Sequence, residues 1–174
     1  MKYLVKIFVI TFFLIVSTQA FAEQKIVVLD MKYVLNQSKA GKNAQDFLKK
    51  SFNDNTKKFA DIEKSLKKEE SDLLAQKTIL TKEEYTKKTN VLRKKVIDYQ
   101  SMRRSTMDKL AEKRSQSREA LVKVVEPLLD AYIKENNISL VIDKKYMVGG
   151  LTKYDITKII VEKLDKELPS LKLQ

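Results

Sequence analysis

The side chains with the clearest chemical potential are cations: Lys77, Lys82, Lys87, Lys88, Arg93, Lys94, Lys95, Arg103 and Arg104. All but Lys77 fall within residues 82–118, which hold 12 Lys and Arg against 5 Asp and Glu. Cations on a helix are commonly offset by carboxylates one turn away, and the bland reading is a solvated face. So lopsided a ratio instead leaves most of them without an intrahelical partner. A field of one sign speeds encounter with acidic partners and weakens with salt. The chemistry on offer is ionic binding.

Bond-making chemistry is poorly served. The chain has no histidine and no cysteine, which removes the commonest general base, the thiol nucleophile and the usual zinc ligands. Gly149-Gly150 follows a strand-like segment but lacks the spacing of a phosphate-cradling loop. Asp and Glu are scattered among lysines at helix-surface spacing. The expectation is a protein that is not an enzyme and uses neither metal nor cofactor.

The element that carries the cations is long. From Lys42 to Glu126 there are 85 residues without glycine or proline, and a run without either breaker, rich in Lys, Glu, Leu, Gln and Ala, reads as helix. Leu48, Phe52, Asn55, Phe59, Ile62, Leu66, Glu69 and Leu73 follow the alternating four-three spacing of a coiled-coil seam. The β-branched stretch Thr78-Ile79-Leu80-Thr81 interrupts it, and Thr81-x-x-Glu84 has the form of a capping box at a new helix start. A second seam then runs through Tyr85, Thr89, Leu92, Val96, Tyr99, Arg103, Thr106, Leu110, Lys113 and Ser117. The spacing predicts a helical hairpin over residues 41–118 with its tip near 78–82. Its first helix, over 41–78, spans about 57 Å at 1.5 Å per residue. Gly41 should lie beside Ala120, and Pro127 should bend the chain where arm joins body, the alternative being two helices that abut there. The seam is thinly apolar, so the arm is expected to loosen towards its tip. Phe47 and the other arm aromatics read as seam residues before they read as binding groups.

The ends differ in character. Met1 to Ala22 has the layout of a secretory signal peptide: Lys2 and Lys6, the apolar run Ile7 to Val16, then Ala20-Phe21-Ala22. Cleavage is expected after Ala22. Lys25-Ile26-Val27-Val28-Leu29-Asp30 and Ser139-Leu140-Val141-Ile142-Asp143 read as strands. Ile156, Ile159, Ile160 and Leu164 give a closing amphipathic helix, entered through Thr152-x-x-Asp155. Residues 23–40 plus 119–174 would form a small β/α body. So small a body, with exposed strand edges, is expected to associate with further copies, with Ile26, Val28, Leu140, Ile142 and Val148 as candidate oligomerisation residues. The fold class is α+β, predominantly helical: a long antiparallel helical hairpin projecting from a small β-containing oligomerisation body.

The order of these parts resembles the Skp (OmpH-like) periplasmic chaperones: a signal peptide, the opening strand Ile26-Val27-Val28-Leu29-Asp30, a charged helical hairpin, the strand Ile138-Ser139-Leu140-Val141-Ile142-Asp143 and the Asp155-Ile156-Thr157 helix. The resemblance covers the whole chain after the signal peptide and rests on order and spacing. It implies a homotrimer whose arms surround unfolded outer-membrane proteins, an ATP-independent holdase in the periplasm that passes clients towards the outer membrane. It also implies contact with lipopolysaccharide or anionic phospholipid. The tip Lys77 to Lys82 offers no motif that aligns with the family's lipopolysaccharide site, so the cluster Arg93-Lys94-Lys95 and the pair Arg103-Arg104 stand as this chain's own candidates. Two other classes remain open: a structural or adaptor protein of the envelope, and a binder of anionic surfaces, with nucleic acid disfavoured by export.

Overall fold

The computed structural model describes residues 24–173. The expected signal peptide and its cleavage site lie outside the described residues. Along the chain run β1 (Lys25–Leu29), α1 (Met31–Gln37), α2 (Lys39–Ala75), α3 (Lys82–Glu135), β2 (Ile138–Asp143), two single 3-10 turns (Lys144–Tyr146 and Thr152–Tyr154) and α4 (Thr157–Glu167). The chain is thus mostly helix with one small strand pair, the α+β hairpin-on-body arrangement that the periodicity predicts.

Helices α2 and α3 form the hairpin. Thr81 starts α3 with a complete capping box: its hydroxyl accepts from the Glu84 amide, and the Glu84 carboxylate accepts from the Thr81 amide. Both exchanges satisfy amides that a helix start leaves unpaired. At the other end of the arm, Ser38 caps α2 by accepting from the Gly41 amide, so the helix begins two residues before the predicted Gly41. Helix α3 continues unbroken through Pro127, and the two-helix alternative falls. Proline deprives the Lys123 carbonyl of its partner four residues on. Lys123 and Pro127 are both exposed, so water can satisfy that carbonyl.

The two strands pair in parallel, with Ile26 opposite Leu140 and Val28 opposite Ile142, after an irregularity between Lys25 and Ile26. One face of this pair is buried. Val27, Leu29 and Ile138 join Val34, Leu35, Leu121 and Val125, and α4 adds Ile160 and Leu164, both fully buried. Asn137, at φ 51°, makes the left-handed step between α3 and β2, a conformation that asparagine tolerates better than most residues.

The predicted entry to α4 is corrected. Thr152-x-x-Asp155 is not a capping box, because Thr152–Tyr154 is a 3-10 turn and α4 starts at Thr157. The Ile156 amide donates to the Val28 carbonyl at 2.9 Å, which docks this segment on the free side of β1. Asp155 then serves the amide of Thr157, at 2.9 Å, and the Lys144 ammonium, at 2.7 Å. Burial pushes the Asp155 carboxyl up, but the hydrogen bonds from Lys144 and Thr157 outweigh it and hold the group below its ordinary value.

Candidate functional site

The arm is only two helices thick, so its seam residues floor the grooves that run along both flanks. Leu48, Phe59 and Leu73 of α2 are buried in the seam, and the Phe59 ring meets Tyr99 of α3 edge-on at 6.1 Å between centroids. Almost every predicted seam position is buried or half-buried. Phe52 and Arg103 are the exceptions and remain exposed.

One flank is a lysine flank whose charges are partly answered. Lys95 pairs with Glu69 across the helices at 2.6 Å, and Lys88 donates to the Gln76 side chain at 2.8 Å. Lys87, Lys88 and Val91 line a groove there together with Glu69 and Asp72. Towards the body, Lys95 and Asp98 border a second one against Ile62 and Met102.

On the other flank lies a concavity of about 830 Å³. Leu66, Leu92, Val96 and Tyr99 form its floor, and Arg93, Arg103 and Arg104 stand on the α3 rim. From α2 come Glu63, Lys67 and Glu70. Glu63 is spoken for by Lys67 at 2.8 Å. The Lys67 hydrogen bond holds the Glu63 carboxyl below its ordinary value, with a smaller contribution from the Arg103 charge. Neither Arg93, Arg103 nor Arg104 has a carboxylate within ion-pair distance among the described residues. Cations without an ion-pair contact above an apolar floor suit an anionic ligand that also carries apolar groups.

The predicted cations therefore separate. Arg93, Arg103 and Arg104 meet in one groove, Lys87, Lys88 and Lys95 lie on the opposite flank, and Lys77 and Lys82 stand exposed at the tip. Lys94 is exposed and lines none of these grooves. Sequence reasoning missed the acidic members Glu63 and Glu70, which reach the groove from α2, and its apolar floor was read only as seam.

The candidate oligomerisation residues also divide. On the sheet face turned from the core, Ile26 and Leu140 are 41% and 51% exposed, Ile142 is half-buried and Val28 is buried. Val148 is fully exposed in the segment after β2. The outer edge of β2 has no strand partner among the described residues.

Comparison with known proteins agrees with this architecture. Over 161 residues the chain is 25% identical to a Skp-like protein of Pseudomonas aeruginosa, covering 90% of this chain and 94% of that one. The fold is similar to a crystal structure from Caulobacter crescentus described as an OmpH-like outer membrane chaperone. The TM-score is 0.80 at 16% identity, over 91% of this chain and 94% of the other. The profile of the family described as Outer membrane protein (OmpH-like) matches residues 25–164, nearly the whole described chain, and the protein belongs to that family.

Proposed function

We propose that the protein is an ATP-independent holdase of the periplasm, which holds unfolded outer-membrane proteins among its basic arms and delivers them towards the outer membrane. The observation that carries this reading is the groove of Arg93, Arg103 and Arg104, whose charges stand unpaired above Leu66, Leu92, Val96 and Tyr99. An unfolded chain presents carboxylates and apolar side chains together, and such a surface meets both. Long-range attraction by the arm cations gathers the client, and many weak contacts retain it. Binding the unfolded state opposes its collapse without any fuel. The role is not catalytic.

In this reading the protein is exported by its signal peptide and works as a homotrimer. Exposed Ile26 and Leu140 and the open edge of β2 are the surfaces that a neighbouring copy would cover. Lipopolysaccharide and anionic phospholipid are further partners of the basic arm residues, with Arg93, Lys94, Lys95, Arg103 and Arg104 as this chain's candidates. Light-scattering mass, with and without a denatured β-barrel protein, tests assembly and capture together. The expected result is a trimer that keeps the client soluble at stoichiometric amounts and captures it more slowly as salt rises. Failure to keep the client soluble would favour an envelope adaptor instead.

A further inference from the structure

The chain has 35 Lys and Arg, and only five of them are arginine: Arg93, Arg103, Arg104, Arg114 and Arg118. All five lie in α3, and all five line one of two grooves. Arg93, Arg103 and Arg104 rim the groove described above. Arg114 and Arg118 rim a second groove of about 680 Å³ at the root of the arm, floored by Ala44, Leu48, Phe52 and Leu121. Phe52 is 51% exposed here. Positions 93, 100, 104, 107, 111, 114 and 118 repeat at three, four and seven residues, so they form one stripe along α3. The two grooves therefore share a flank. On the opposite flank the cations lining the grooves are Lys87, Lys88 and Lys95, without any arginine.

The segregation matters because the two cations bind differently. A guanidinium offers a planar fork that pairs with a carboxylate through two hydrogen bonds and stacks on aromatic faces, whereas an ammonium is a strongly hydrated point charge. Arginine set along a groove with an apolar floor is suited to short-range retention; lysine elsewhere is suited to general attraction. From Arg93 to Arg118 the helix rises about 38 Å, the reach of about twelve residues of extended chain. Side chains of an extended segment alternate in direction, so carboxylates can reach the rim while apolar groups meet the floor. Asp46 at the root and Glu63 and Glu70 further out leave the cations in excess, with Lys49 and Lys67 adding to the five arginines. A bilayer is a poorer occupant, since a plane meets the protruding tip, where the cations are Lys77 and Lys82.

We propose that this flank of the hairpin is an arginine-lined track for an extended, carboxylate-bearing and apolar segment of an unfolded chain. The proposal rests on the reading of the protein as a holder of unfolded chains and adds where and how the segment is held.

Replacing all five arginines by lysine keeps the charge and removes the fork. The probe is a labelled peptide of about twelve residues with Asp or Glu alternating with Phe, Tyr or Leu, alongside its Asn/Gln counterpart and phosphatidylglycerol vesicles. The five-fold variant should weaken acidic-peptide binding by about tenfold or more, through faster dissociation, with association little changed. Lys87→Gln, Lys88→Gln and Lys95→Gln together should instead slow association. The pair Arg93→Lys and Arg104→Lys should show part of the same loss if the five-fold variant melts early. Unchanged peptide dissociation in both arginine variants overturns the proposal, as does a loss confined to vesicle binding or to self-association. If the wild type keeps a denatured β-barrel protein soluble and the arginine variants match it in peptide binding, the track fails and the holdase reading survives. Arginine-dependent peptide binding without client protection gives the converse.

Discussion

Replacing Gly41 by alanine tests how the arm is joined to the body. In an exposed helix this change is favourable by about 1 kcal/mol, because alanine is the better helix former. Here Gly41 is buried in the first turn of α2, and an alanine Cβ would overlap the Leu35 carbonyl oxygen. It would also lie 2.9 Å from the Leu35 carbonyl carbon and 2.9 Å from the Ser38 hydroxyl oxygen. The main obstacle is backbone, so no rotamer change relieves it; the end of α1 must move away from α2. Overpacking of this kind costs about 1–3 kcal/mol, and disturbing the Ser38 cap adds about 1 kcal/mol. Against the propensity gain, the net is a loss of about 2 kcal/mol. At about 2–4 °C per kcal/mol for a chain of this size, the melting temperature should fall by about 4–8 °C. Thermal melting followed by circular dichroism, at one fixed protein concentration because association shifts the midpoint, measures it. The exposed neighbour Lys42→Ala serves as control and should move the midpoint little. A rise in melting temperature for Gly41→Ala would show that propensity outweighs the contact and would refute the close approach of α1 and α2.

Phe59→Ala removes the best-buried aromatic of the arm and its edge contact with Tyr99. It should raise amide exchange along the arm by about a hundredfold or more, from a loss of about 3–5 kcal/mol, while Val34 and Ile160 amides in the body keep their protection. Equal acceleration in body and arm would mean that the two open together. Thr81→Ala should cost about 1 kcal/mol of local helix stability, read as faster exchange over the first turn of α3 with the melting temperature little changed. Because the folded Asp155 carboxyl titrates below its unfolded value, its stabilisation is present above the unfolded value and lost as pH falls through the folded one. Asp155→Asn should therefore lower the urea midpoint at pH 7, and the gap to wild type should close as the buffer is taken below about pH 4; a gap that stays constant would rule out this titration as its source.

The fold class and the hairpin were legible because they rest on local rules. Four-three spacing placed Leu48, Phe59 and Leu73 in the seam, and the Thr81-x-x-Glu84 box placed the return. Phe52 fits the same spacing yet is 51% exposed, since period alone does not say what the facing helix offers. The start of α4 was misread for a related reason: Thr152-x-x-Asp155 has the letters of a cap, but β1 recruits the Ile156 amide and Lys144 recruits the carboxylate. Val28 is remote in sequence, and Lys144 stands 11 residues from Asp155, beyond the span of the motif. The candidate site for anions was legible as a charge census and not as a place. Which cations share a groove depends on how two helices are rotated against each other, and that brought Glu63, Lys67 and Glu70 to the arginines. The start of α2 could have been found, since Ser38 stands three residues before Gly41.

The parallel pairing of β1 with β2 makes the entire arm the connection between two neighbouring strands. Lys25 partners Ile138, and closing so long a loop by diffusion alone is entropically costly and slow. The hairpin removes that cost before the strands meet. Zippering from the Thr81 turn joins residues near in sequence first, and each further turn of seam draws Ser38 and Leu121 closer. When the seam reaches Ala44 and Ser117, the ends of the connection are already side by side. If the seam closes first in this way, the arm assembles the body as well as extending from it. A loosened tip should slow strand pairing even though no tip residue touches a strand, and circular dichroism in refolding should show helix gained ahead of burial in the body.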